Sequence, residues 1–386
     1  MSLAPLLEGR EVVVCAGAGG VGKTTSAAAI ALGMAARGKK VAVLTIDPAR
    51  RLADALGLPE LANEERRVDP ERLAAVGVEG DGELWAMMLD AKRTFDALIE
   101  RHAPDARTRD RVLSNRIYQE LSSAVAGSQE YMAMEKLHEL HLEGRYDLLV
   151  LDTPPTRNAL DFLDAPERLA RFIDSRSLAF FLRSNRRGMR LVGRGSIVLF
   201  SMLRRITGVN LLEDLSEFFR AFGAMTEGFE ERARAVGALL ASPRTSFVVV
   251  SSPAAAAVEE AVFFLRRLRE SKLPFGAAIV NRVHRPSDRG TEDGDLEGAL
   301  SSLLDDAGLA RRVARNLLDM RALEDRDALG IARLSGELGG APLLVVPDLD
   351  DDVHDLDGLA RVNAHLFAAE GKATDAGRLA GSAPPS

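Results

Sequence analysis

The chain has 386 residues, 46% of them apolar and 28% charged, with a net charge of −7. That length suits one large α/β domain carrying an insertion, and the composition is that of an ordinary globular protein. The acidic balance argues against whole-surface nucleic-acid binding, and the single cysteine, Cys15, excludes an internal disulfide and a multi-thiolate metal site.

In chain order, no charged-then-apolar leader opens the sequence, so the cytoplasm is the expected compartment, with peripheral attachment to a membrane left open. Arg10–Gly17 (REVVVCAG) is β-rich and ends in glycine, which predicts a buried strand. TTSAAAIALGMAARGKK follows and predicts an alanine-rich helix stopped near Gly38. Val41–Asp47, Leu84–Asp90, Asp147–Asp152, Ser246–Ser252, Gly276–Asn281 and Pro342–Pro347 predict further strands, mostly separated by helical patterns. Near-continuous apolar strands alternating with helices predict an α/β, doubly wound, mostly parallel sheet covered on both faces. The expected organisation is one domain over residues 1–370 and a disordered tail over 371–386, with a helical subdomain built from about 91–144 and 158–240. His284–Asp295 is polar and turn-rich, which predicts a mobile loop. The longest apolar stretch outside the strands, Ser196–Leu203, is far shorter than the roughly 20 residues a membrane-spanning helix needs.

The stretch GAGGVGKTT, Gly17–Thr25, fits G-x-x-x-x-G-K-[ST] between a predicted strand and a predicted helix. Glycines let backbone N–H groups converge on a phosphate where a side chain would block the approach, and the helix N-terminus adds a favourable dipole. Gly17, Gly19, Gly20, Val21 and Gly22 are therefore expected to wrap a nucleotide's phosphates. Lys23 is expected to bridge the β- and γ-phosphates, Thr24 to ligate Mg²⁺, and Thr25 to reach the α-phosphate. DTPPT, Asp152–Thr156, closes another apolar strand. An aspartate there can hold a Mg²⁺-bound water, and the loop beyond it can sense the γ-phosphate; a plain helix cap is the alternative. Asp47, at the end of the second strand, is delivered to the carboxyl edge of the sheet, where it can orient or deprotonate a water or simply cap the next helix. No internal repeat is present, which excludes two duplicated ATPase halves in this chain.

Arg168–Arg205 holds ten arginines against a single acid, Asp174, with the apolar runs LAFFL and SIVLFSML between them. Solvated helices are one reading. The other is a surface for an acidic partner, anionic lipid or an amphipathic client helix. MEKLHELHLE sets His138 and His141 near Glu135, but one E-x-x-H is only half of a carboxylate di-metal site, and exposed helix surface is expected.

These residues resemble the arsenite-pump type (ArsA-like) ATPases, which include the tail-anchored-protein targeting ATPase. The likeness runs through GAGGVGKTT, TIDPARRLADALG, LWAMMLDA, GSQEYMAMEKLHEL, DTPPTRNALDFLD, IVNR and VVPDLDDDVHDLDGL. The resemblance implies a dimeric P-loop ATPase using ATP and Mg²⁺, with Lys23, Asp47 and Asp152 as its catalytic residues. Asp47 would be the water-positioning residue and Asp152 the magnesium-side residue. It further implies that Asn281, with Arg282 beside it, and the segment at Pro347 contact adenine. Three departures stand out. Ala18 occupies the place of the lysine that reaches a partner's phosphates in the deviant loop G-K-G-G-x-G-K-[ST]. The arsenite-binding thiols are absent, which argues against arsenite activation, and so is the C-x-x-C zinc clasp. The expected assembly is thus a homodimer, with Arg50 or Arg51 supplying the missing cation, or a heterodimer with a lysine-bearing paralogue. A nucleotide-locked scaffold and a membrane- or DNA-positioning ATPase of the cell-division and partition group are the alternatives.

Overall fold

The computed structural model describes residues 1–47, 50–116, 118–119, 128–153, 226–287 and 293–368. Its frame is one eight-stranded sheet. The strands are β1 (Val12–Gly17), β2 (Lys40–Thr45), β3 (Arg66–Arg67), β4 (Glu83–Met88), β5 (Leu148–Asp152), β6 (Thr245–Ser251), β7 (Phe275–Val283) and β8 (Leu343–Pro347). They lie in the order β3-β4-β2-β5-β1-β6-β7-β8. Every pairing is parallel except that of β3 with β4. The doubly wound, mostly parallel sheet anticipated from the sequence is therefore present. Two-residue β3 escaped the sequence reading because Arg66 and Arg67 carry no apolar alternation; their strand exists only because the β4 edge is there to pair with.

Side chains alternate across a strand, and here both faces are buried. Val12, Val14 and Ala16 of β1 enter one core, while Val13 and Cys15 enter the other. The second core is roofed by α1 (Ala4–Leu7), α2 (Lys23–Ala35), α3 (Arg51–Leu56) and α12 (Leu356–Leu366), with α4 (Pro70–Ala75) at its margin. Helix α2 is Ala-rich, the best helix-forming composition, and almost wholly buried. The chain leaves it through Gly38, at φ 79°. The first core is covered by α5 (Ala91–His102), α6 (Ala106–Leu113), α7 (Ser128–Glu143), α8 (Thr226–Ala241), α9 (Ala255–Glu270) and α11 (Ala307–Leu338), the last preceded by α10 (Leu296–Ser301). Each large side chain buried there, such as Phe247, contributes roughly 1.5–3 kcal/mol.

Helix α7 precedes β5 and α8 precedes β6 in the chain. Pro154, Pro155 and Thr156, the arginine-rich stretch Arg168–Arg205 and the tail 371–386 lie outside the described residues. One expectation is corrected. Glu135 and His138 are not exposed helix surface: Glu135 is fully buried and paired with Arg232 of α8, and His138 is buried beside it. Helix α7 is pressed between the sheet and its helical neighbours, so polar positions that read as solvated are covered on both sides. Among the described residues no cluster of three or more His, Cys, Asp or Glu is arranged to hold a metal. Of His284–Asp295, read as a mobile loop, residues 288–292 lie outside the described residues, and the part before them is tied to α11. His284 N–H donates to Asp327 at 2.9 Å and Ser287 N–H to Glu324 at 2.8 Å, both acceptors on α11. Among the described residues no helix is long and apolar enough to cross a membrane.

Candidate functional site

A cleft of about 520 Å³ opens at the carboxyl edge of the sheet, where parallel strands deliver their following loops. The loop after β1 forms its floor. Gly17 passes so close beneath β6 that a Cβ there would lie 2.0 Å from the Val250 carbonyl oxygen, so only glycine fits. Gly19 and Gly20 are exposed and Val21 is buried, anchoring the loop from behind. Gly20, Gly22, Lys23, Thr24 and Thr25 face the cleft. Helix α2 begins at Lys23 with no side-chain cap on its first turn, so its leading N–H groups point at the cleft without a side-chain acceptor.

Lys23 is only 6% exposed, and its ammonium donates to the Ala18 carbonyl at 2.7 Å, closing the loop on itself. Burial lowers the Lys23 pKa, opposed by the carboxylates of Asp152, Asp47 and Glu260. Asp152 ends β5 and is 1% exposed. Its Oδ2 accepts from the Thr24 hydroxyl at 2.7 Å and the Thr45 hydroxyl at 2.9 Å. Its other oxygen, Oδ1, is buried and meets no donor among the described residues. Burial pushes the Asp152 pKa up to about 6 against the pull of those two hydroxyls and of the Lys23 ammonium. Thr153 then returns to β1 by donating both its N–H and its hydroxyl to the Cys15 carbonyl. The Cys15 thiol is itself pushed far up by burial, which keeps it protonated.

Asp47 is half-buried at the cleft wall, its N–H donating to the Thr45 hydroxyl at 3.2 Å. Thr45 thus joins Asp47, Asp152 and, through Asp152, Thr24; the sequence reading missed it because a threonine inside an apolar strand carries no motif. Asn281, Arg282 and Pro347 reach the same cleft from β7 and β8. Asn281 donates its amide to the Val21 carbonyl at 3.0 Å. Arg51 lines the cleft, whereas Arg50 is exposed and outside its lining. Ala18, 7% exposed, packs into the core behind the loop. The outer wall is the segment after β8, with Asp348, Leu349, Asp351, Asp352, Val353 and His354. The sequence signal for it was the run VVPDLDDDVHDLDGL, whose proximity to the phosphate loop depends on β8 lying two strands from β6. Of the residues named from the sequence, Gly20, Gly22, Lys23, Thr24, Thr25, Asp47, Arg51, Asn281, Arg282 and Pro347 line one cleft, Asp152 lies behind it on the Thr24 hydroxyl, and Arg50 lies outside.

The donor set suits a magnesium–polyphosphate group: a buried ammonium, glycine-bared N–H groups, a threonine hydroxyl, and beside that hydroxyl a buried carboxylate.

Comparison with known proteins agrees. The family described as anion-transporting ATPase matches residues 10–292. The chain is 28% identical over 282 residues to the putative arsenical pump-driving ATPase 1 of Aquifex aeolicus, covering 70% of this chain and 63% of that protein. It is 32% identical over 157 residues to the ATPase GET3 of Malassezia globosa, covering 41% and 43% of the two chains. The ATPase ASNA1 homolog of Cryptosporidium parvum is 27% identical over 273 residues, covering 70% and 65%. The match therefore spans less than two thirds of each of these relatives. With the match running across the phosphate loop and seven of the eight strands, this chain belongs to the anion-transporting ATPase family.

Proposed function

We propose that this chain binds ATP with Mg²⁺ in the cleft and hydrolyses the β–γ bond. The observation that carries the reading is Asp152: a buried carboxylate, two hydroxyls on one oxygen and none on the other, beside the Lys23 ammonium. Loop N–H groups and Lys23 hold the phosphate tail, and Lys23 leaves the Ala18 carbonyl to bridge the β- and γ-phosphates. Thr24 and Asp152 are the residues that would hold Mg²⁺, directly and through water. The ion when bound supplies charge neutralisation across the phosphates. Asp47 orients a water in line with the γ-phosphate and takes its proton. Asn281, Arg282 and Pro347 lie on the base side, and Thr25 on the α-phosphate side.

The chain works as a dimer, with itself or with a paralogue that keeps the lysine absent at Ala18. Nucleotide state opens and closes the helical subdomain, whose roots are α7 and α8, over a client or partner at the arginine-rich insertion. Ala18 also supports a second reading, a nucleotide-holding scaffold with little turnover of its own.

Calorimetric titration with Mg–ATP, run beside a phosphate-release assay, tests this. Binding by the wild-type chain, with loss of about a hundredfold or more in Lys23→Ala, is expected. Binding without phosphate release moves the assignment to the scaffold. No heat in the wild-type titration refutes the nucleotide reading.

A further inference from the structure

Strand β7 ends irregularly, and the irregularity points at the phosphate loop. Its pairing with β8 slips between Val280 and Val283. Inside that bulge Arg282 has φ 60°, one of only two non-glycine residues with positive φ among the described residues. A bulge re-aims side chains that would otherwise alternate across the sheet. A non-glycine residue in the left-handed region is costly and persists where the surroundings gain from it.

The gain is on the page. Asn281, only 8% exposed, donates to the Val21 carbonyl at 3.0 Å. Arg282 donates to the Gly20 carbonyl at 3.4 Å, a longer and more exposed contact. Two adjacent residues of the bulge thus hold two adjacent carbonyls of the loop, some 260 positions earlier in the chain. Gly22 makes the approach possible: at φ 92°, a Cβ there would stand 2.2 Å from the Asn281 amide nitrogen.

The consequence follows from peptide planarity. The carbonyl of one residue and the N–H of the next point to opposite sides of the same rigid unit. Holding the Gly20 and Val21 carbonyls toward β7 turns the N–H groups of Val21 and Gly22 away from β7. We propose that Asn281, supported by Arg282, is a positioning residue that sets the phosphate loop in its receiving shape before any nucleotide arrives. The role is distinct from contact with a base: it acts through the loop and serves any polyphosphate. It rests on the reading of the cleft as a nucleotide site. Preorganised donors are worth more than donors that must be ordered on binding.

The test uses the full chain and two probes, Mg–ATP and Mg–inorganic tripolyphosphate, which has the tail and no base. Binding of each is measured by competition against a fluorescent ATP analogue, for wild type, Asn281→Ala, Asn281→Leu and Arg282→Ala. Thermal unfolding of each nucleotide-free variant confirms that it is folded. Wild type is expected to bind both probes. Both Asn281 variants should weaken tripolyphosphate by a factor of about ten, the scale of one lost buried hydrogen bond, and ATP by at least as much, with Arg282→Ala weakening each by less. Loss of ATP affinity with tripolyphosphate unchanged would show that Asn281 reads the base and overturn the proposal. So would undiminished binding of both probes, or a wild-type chain that binds ATP but not tripolyphosphate, since a loop already set should hold the tail alone. A wild-type chain that binds neither probe refutes the nucleotide reading itself, which is a separate result.

Discussion

Asp152 stands under opposing demands. Burial raises its pKa to about 6 from the ordinary 3.8, so between those values the folded chain holds a proton that the unfolded chain releases. Its contribution to stability is therefore fully present below about pH 4 and is lost as pH rises through about 6. Asp152→Asn removes that loss while keeping an oxygen to accept from Thr24 and Thr45. The nucleotide-free variant should be more stable than wild type at pH 8 by up to about 3 kcal/mol, read from denaturant unfolding curves. The same variant should lose about a hundredfold or more in ATP hydrolysis, because the carboxylate strained by burial is the one Mg²⁺ would relieve. A variant that is neither more stable nor less active would sink this view of the residue.

At the scale of elements, α7 and α8 are joined by the buried Glu135–Arg232 pair, with His138 alongside. Removing one member of a buried pair strands the other, so Glu135→Gln should cost about 3 kcal/mol of unfolding free energy. Burial holds the His138 pKa below the ordinary 6.5 against the pull of Glu135, with lesser help from the Arg232 charge. The stability owed to neutral His138 is present above pH 6.5 and is lost as pH falls through its lowered value. Hydrogen exchange should show α7 and α8 loosening first on acidification, and His138→Gln should flatten that response. Uniform exchange across the sheet would argue against it. The element boundaries themselves were largely legible. Val12–Gly17 and Thr245–Ser251 match their sequence readings to within two residues because apolar runs bounded by turns leave little choice. Strand β7, read as Gly276–Asn281, matches as closely at its ends, but the bulge that carries it on to Val283 depends on how β8 pairs beside it.

At the scale of the molecule, position 18 bears on the proposed pairing with a second chain. Ala18 packs into the core behind the loop and carries no charge. If a lysine from a second chain supplies the missing cation, Ala18→Lys should raise the hydrolysis rate of this chain alone by about tenfold or more, as trans-acting cations do in phosphoryl transfer. A phosphate-release rate unchanged by the substitution removes the reading in which a second copy of this chain completes the site. Saturating Mg–ATP should also raise the unfolding temperature, since ligand bound only to the folded chain stabilises it by mass action; no shift at saturating Mg–ATP would contradict the proposed nucleotide site.

The sequence by itself determined the alternation of buried strands and helices and the phosphate loop. It also marked Asp47 and Asp152 as strand-end carboxylates, because these features are local: a run of apolar residues, a glycine spacing, an acid at the end of a strand. Only the tertiary structure decided what those residues touch. Thr45 on Asp152, Asn281 on Val21, Glu135 on Arg232 and the acidic wall after β8 join segments far apart in the chain. Which of them meet depends on strand order and packing, and neither is written in any local pattern.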